Sequence, residues 1–321
     1  MSTFKYVLKR IGLMLVTAFI IMTICFVLIK LLEPELPMMG NQAQAEMARR
    51  EALGWNKPIM VQYAIYLKNI FTKWDWGTSW KIDYFQPAAS VIIKRLPPTI
   101  IINTLELFIS IPIGIALGVF AAIKKNKWQD HLISVVVMLF ISVPVFVYAF
   151  LLQYLLGFKL GWFPLIMSSL YDAGGSWFSG TMLKSMVLPV LSLSFGSIAG
   201  LTRMTRAELT EALTSDYMLL ARTKGLTKSQ AISRHAMKNA MVPILPRILG
   251  MILGILSGAM LTETIFGING IGKLYLQSIT TLDYDVFMTT SMFYCIIGLA
   301  STIVIDLSYG FLDPRIRMGE R

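Results

Sequence analysis

Six stretches of the chain carry apolar side chains almost without a break: Ile11–Leu32, Thr99–Ile123, Leu132–Phe158, Leu183–Thr202, Met241–Phe266 and Val286–Phe311. A helix rises 1.5 Å per residue, so about 20 residues cross the roughly 30 Å of bilayer hydrocarbon. Each stretch is that long, and each predicts a membrane span. The six hold 146 residues and six charges (Lys30, Glu106, Lys184, Arg247, Glu263 and Asp306), against 41 charges in the other 175 residues. The fourth is diluted by Lys184, Pro189 and its serines, and Lys184 snorkels at one end. The expected fold is an all-α membrane protein of six transmembrane helices.

The polar segments between the spans have their own patterns. In residues 33–98, Gln42–Leu53 has helical composition, and Asn56-Lys57-Pro58 reads as a helix start. Ile59, Tyr63, Tyr66, Leu67 and Ile70 follow at helical spacing, and Trp55, Trp74, Trp76 and Trp80 suit an interfacial aromatic belt. This predicts a cap seated at the headgroups. In residues 203–240, Ser215 or Asp216 caps a short helix over Tyr217–Lys224, and Gly225 supplies a left-handed stop. Thr227 with Gln230 then forms a capping box for a second helix that runs into Met241. Such a basic, bent pair suits either lipid headgroups or a groove on another protein.

Composition agrees with burial in lipid. Hydrophobic residues make up 55% of the 321 and charged ones 15%, where a soluble domain carries about 25%; the mean hydropathy is +0.65. The net charge of +11 is not that of a nucleic-acid binder. Segments 1–10, 124–131, 203–240 and 312–321 carry 16 basic and 6 acidic residues in 66 positions, whereas 33–98, 159–182 and 267–285 carry 10 and 9 in 109. Cytoplasmic loops collect Lys and Arg, so both termini and the 203–240 loop are expected in the cytoplasm and 33–98 outside. Lys5, Lys9 and Arg10 precede a 22-residue run, longer than the roughly 7–15 residues of a signal-peptide core, which favours an uncleaved first span.

Little in the chain points to reaction chemistry. It has no HExxH, no GxSxG and no cysteine pair at metal spacing. Cys25 and Cys295 lie inside spans as small hydrophobes, and His131 and His235 lack triad partners. Gly267-Ile268-Asn269-Gly270-Ile271-Gly272-Lys273 satisfies GxxxxGK, but Leu274 stands where a phosphate loop needs Ser or Thr for Mg²⁺. No catalytic residue, cofactor or metal is expected. Of the charges inside the spans, Glu106, Arg247 and Glu263 are the functional candidates, serving either as structural pairs or as pathway groups; Asp306 ties down the tail. Gly250, Gly254 and Gly258 recur at four-residue spacing for close helix packing, within a subunit or along a seam. A receptor or an intramembrane enzyme is the rival class, without a constellation to support it.

The loop Ser215-Asp216-Tyr217-Met218-Leu219-Leu220-Ala221-Arg222-Thr223-Lys224-Gly225-Leu226, with Arg234-His235-Ala236 and Asn239-Ala240, resembles the EAA-type loop of binding-protein-dependent ABC importer permeases. The whole chain is similar to the B-type permease of oligopeptide and dipeptide importers, through Leu53–Pro58 with Gln62-Tyr63, Asp75–Ser79, Arg95-Leu96-Pro97 with Thr99, Glu263 with Phe266–Gly272, and Asp313–Arg317. It departs at Asn269, at Trp55-Asn56 and at Glu33–Pro37. The resemblance implies a first helix plus external segment over 1–98 and an importer membrane domain over 99–321. It further implies alternating access for peptide, a homologous second permease, two ATP-binding subunits and an extracytoplasmic binding protein. The loop would couple this chain to one ATPase. Nickel or another small solute is the alternative cargo.

Overall fold

The computed structural model describes residues 3–32, 44, 47, 48, 51, 54 and 56–312. The helix expected over Gln42–Leu53, Trp55, and the Asp313–Arg317 stretch lie wholly or mostly outside those residues. Twelve α-helices lie wholly within the described residues: α1 Thr3–Leu32, α2 Ile59–Lys73, α3 Ala88–Ile123, α4 Trp128–Ser142, α5 Val145–Leu152, α6 Gly180–Leu213, α7 Asp216–Thr223, α8 Lys228–Ala231, α9 Met237–Leu253, α10 Met260–Ile265, α11 Ile271–Thr280 and α12 Tyr284–Leu312. Among the described residues, five segments are long and apolar enough to cross a membrane: Leu8–Leu31, Ala88–Ile123, Gly180–Leu213, Lys228–Ser257 and Tyr284–Ser308. The pair Trp128–Ser142 and Val145–Lys159, bent by 97°, makes a sixth. The all-α membrane fold expected from the apolar pattern is present.

Three spans depart from the pattern. The third is broken because Pro144 has no N–H to donate and Val143 before it is extended, at φ −91° and ψ 127°. The fourth runs on past Thr202 to Leu213, so the 203–240 loop begins as three further turns of α6. The fifth ends early: α9 stops at Leu253, a tight turn covers Gly254–Ser257, and Gly258 has φ +65°. Gly250, Gly254 and Gly258 therefore do not share a helix face, which corrects the small-residue stripe expected there. A Cβ on Gly250 would meet Ile305 at 3.3 Å, and one on Gly254 would meet nothing within 4 Å. The close helix approach lies instead at Gly114 and Gly118 of α3. Cβ atoms there would fall 2.9 Å from Leu201 and 2.5 Å from Thr205 of α6.

The chain divides into two compact units, one within Met1–Pro97 and Leu274–Ala300, the other within Pro98–Lys273 and Ser301–Glu320. In the first, Met22, Phe26 and Ile29 of α1 pack with Tyr63 and Ile70 of α2 and with Met288 and Met292 of α12. The helical spacing that begins at Ile59 thus buries the face it predicts, and the Thr23 and Tyr63 hydroxyls meet at 2.7 Å. The Asp75–Ser79 motif is clasped by the turn before α12. One Asp283 oxygen accepts from the Ser79 hydroxyl at 2.6 Å and from the N–H groups of Trp80, Lys81 and Ile82 at 3.0–3.1 Å. Asp285 accepts from Thr78 N at 3.0 Å. Gly77, at φ +92°, lies so close that a Cβ would sit 2.6 Å from an Asp285 oxygen, so only glycine fits this position. In the second unit, Ile102, Ala149, Met182, Met186, Leu188 and Phe266 form the core between α3, α5 and α6.

Candidate functional site

The 203–240 loop is built much as its residues dictate. Ser215 occupies the N-cap position of α7 with extended backbone, but its hydroxyl turns back to donate to Ala212 O at 2.6 Å and does not cap. Asp216 opens the helix, where an anion is favoured. At the other end Lys224 is the C-cap and Gly225 has φ +88°. Gly225 N donates to Arg222 O at 3.0 Å and Leu226 N to Ala221 O at 3.3 Å, the paired bonds of a Schellman stop. Thr227 and Gln230 then exchange both bonds of the expected capping box, at 3.1 and 3.3 Å. A feature the sequence does not signal follows: Ile232–Ala236, with Arg234 and His235, is a π-helical turn. Its wider spacing keeps Ile232 and Ala236 inside and leaves Arg234 and His235 exposed.

α7 has an anchored side and a free side. Met218 and Ala221 are buried with Ala231, Ile232, Ala236 and Ala240 against Leu209 and Ala212 of α6 and Ala122 of α3. Outward stand Tyr217, Leu219 at 67% exposure and Leu220 at 56%. On the same loop Arg222, Lys224, Lys228, Arg234 and His235 are all exposed. Exposed apolar side chains on a basic loop are the kind of surface that suits contact with a partner.

The three candidate charges stand in different surroundings. Glu263, 3% exposed, lies outside the fifth span once its break is recognised. One of its oxygens accepts from the Thr99 hydroxyl at 2.8 Å, and the other from Lys273 N at 2.8 Å. Thr99 in turn accepts from Ile271 N at 3.0 Å. Glycines enclose this group: a Cβ on Gly258 would lie 2.9 Å from a Glu263 oxygen, and one on Gly270 2.5 Å from its carboxyl carbon. The N–H of Lys273 is thus spent on the buried glutamate and that of Ile271 on the threonine bonded to it, so the stretch clasps Glu263 and Thr99 together. Glu106 is buried and accepts from the Ser110 hydroxyl one turn on, at 2.6 Å, with no cation bonded to it among the described residues. Arg247 is exposed on α9, and among the described residues it has no hydrogen-bond or ion-pair partner.

One ion pair was not legible from spacing. Arg206 of α6 holds Asp130 of α4 in a bidentate pair through one guanidinium edge, Nη2 to Oδ2 at 2.8 Å and Nε to Oδ1, and Asp130 also accepts from Asn126 N at 2.9 Å. The two residues are 76 positions apart. Among the described residues, no three His, Cys, Asp or Glu side chains come together to hold a metal.

Residues 114–318 match the model of the family described as binding-protein-dependent transport system inner membrane component, and residues 3–103 match its N-terminal companion. A dipeptide transport system permease of Lactococcus lactis subsp. cremoris is 36% identical over 316 residues, covering 98% of this chain and 99% of that protein. An oligopeptide transport system permease of Escherichia coli K12 is 32% identical over 316 residues, with the same coverage. Among solved structures, a methionine ABC transporter in inward-facing conformations superposes with a TM-score of 0.51 at 14% identity, over 68% of this chain and 97% of that one. That likeness is one of fold.

Proposed function

We infer function from a premise that is settled: the chain belongs to the family of binding-protein-dependent transport system inner membrane components, and it is a multi-pass permease of the plasma membrane. From there we propose that it imports peptides. The observation that carries this is end-to-end similarity to permeases named for dipeptides and oligopeptides. The proposed assembly pairs this chain with a homologous permease, two ATP-binding subunits on the cytoplasmic side and an external peptide-binding protein. Residues 99–321 act as the importer's membrane domain, with both termini and the α7 loop in the cytoplasm.

The loop suggests how such an assembly would work. α7 rests on the base of α3 and α6 through Met218 and Ala221 and offers Tyr217, Leu219 and Leu220 outward. Seated in a groove of an ATPase subunit, it would transmit closure of that subunit to α6 as a push. Ser215, Asp216, Tyr217, Ala221, Arg222, Lys224, Gly225, Leu226, Arg234 and His235 form this coupling element. The chain itself hydrolyses no ATP, and GINGIGK serves Glu263. Arg247 is the candidate pathway charge, since a guanidinium exposed on a span requires a water-filled cavity or an anionic partner. Glu106 is held by Ser110 beside the core. The test is uptake by cells lacking this chain. Loss of labelled di- to pentapeptide uptake, restored by the gene, with nickel uptake unchanged, supports peptide; loss of nickel uptake alone would replace it.

A further inference from the structure

A groove of about 350 Å³ lies between α4 and α6. Ile133, Val137, Met138 and Ile141 of α4 line its length, and Arg203 and Arg206 of α6 stand at one end. Residues 133, 137 and 141 recur every four positions and so share one helix face. From Ile133 to Ser142 that face runs about 13 Å. It is open to the side, with Met138 69% and Ile141 41% exposed. At the basic end the two arginines differ. Arg206 is neutralised by Asp130, whereas Arg203 is exposed and has no partner among the described residues. The three groups sum to one positive charge.

We propose that this groove binds an anionic phospholipid, its acyl chain along α4 and its phosphodiester at Arg203. The chemistry selects the occupant: an apolar trough inside a membrane-spanning pair, ending in one uncompensated guanidinium, complements an amphiphile with one anionic head. The same end carries Lys124, Lys125 and Lys127 in the turn before α4, which places it at the membrane face where anionic lipid gathers. This site is independent of which solute crosses.

Native mass spectrometry of the full chain in detergent, titrated with phosphatidylglycerol or phosphatidylcholine, tests it. The wild type retains one phosphatidylglycerol in preference to phosphatidylcholine. R203Q loses that preference by roughly tenfold, as expected for a charge-assisted hydrogen bond. Met138→Trp, which fills the trough, lowers retention of both lipids. Because a variant could misfold, a photoreactive residue at Met138 provides a second arm in intact cells, where an adduct of phospholipid mass is expected. Equal retention of the two lipids by the wild type, full retention by R203Q, or a polypeptide adduct at Met138 would overturn the proposal.

Discussion

The stop at Gly225 offers a graded test of the coupling loop. Gly225 has φ +88°, and a Cβ there would meet nothing within 4 Å. Any cost of substitution is therefore conformational, not steric. A left-handed backbone costs an ordinary L-residue roughly 1–2 kcal/mol, least for Asn and most for β-branched side chains. α7 is eight residues long, short of the roughly 12–15 at which an isolated helix becomes even marginal in water. It stands on its two stop bonds and on the burial of Met218 and Ala221. A penalty of about 2 kcal/mol for Gly225→Val lowers the population of the native loop roughly thirtyfold, and about 1 kcal/mol for Gly225→Ala roughly fivefold. Gly225→Asn should stay near wild type. The assay is peptide uptake and substrate-stimulated ATPase activity in reconstituted vesicles, with co-purification of all subunits as control. The expected order is Gly, Asn, Ala, Val, with membrane insertion and permease pairing intact in all four. Wild-type coupling in Gly225→Val would refute the reasoning, as would an Asn variant as impaired as Val.

Three further outcomes follow from the packing. Gly270→Ala drives a Cβ to 2.5 Å from the Glu263 carboxyl carbon, an overpacking worth roughly 1–3 kcal/mol; it should lower the Tm in detergent, whereas Gly254→Ala, with open space, should not. Asp283→Ala strands the N–H groups of Trp80, Lys81 and Ile82 and the Ser79 hydroxyl, at about 1–3 kcal/mol for a buried donor left unpaired; limited proteolysis of intact cells should then cut within 74–87, and unchanged resistance would contradict the clasp. An impermeant thiol reagent applied to intact cells should label a cysteine at exposed Lys81 and not one at exposed Ser229, while Ser79 is unsuited as a reporter because it is fully buried. Labelling at position 229 would invert the topology.

What the sequence revealed was local. The apolar runs located the spans, Gly225 and the Thr227–Gln230 box set the loop's bends, and the Ile59–Ile70 spacing identified α2's buried face. Each depends on neighbours a few residues apart. The π turn at Ile232–Ala236 has no residue signature. The 97° bend follows from Pro144, but a proline marks a break without fixing its angle. Glycine spacing misled at Gly250, Gly254 and Gly258, because the same four-residue repeat is meaningful only while the helix continues. At Gly114 and Gly118, which the sequence reading did not single out, the helix does continue and the glycines pack closely against α6. The Asp283 clasp, more than 200 residues distant, and the Glu263–Thr99 bond, 164 apart, arise only when the chain folds. Until then Glu263 reads as an intramembrane charge, and GINGIGK, which Leu274 disqualifies as a phosphate loop, has no evident role.

The central claim is that this chain turns ATP closure into peptide movement through α7. The most direct measurement is ATP-dependent accumulation of a labelled peptide in proteoliposomes holding the binding protein, both permeases and both ATPases. Paired vesicles would carry either wild-type chain or the variant with Leu219→Asp and Leu220→Asp, two exposed positions on α7. The account predicts accumulation that requires ATP and the binding protein in the wild type, and its loss in the variant although every subunit is present. Undiminished accumulation with both leucines replaced, or none with the wild-type chain in a complete assembly, would contradict it.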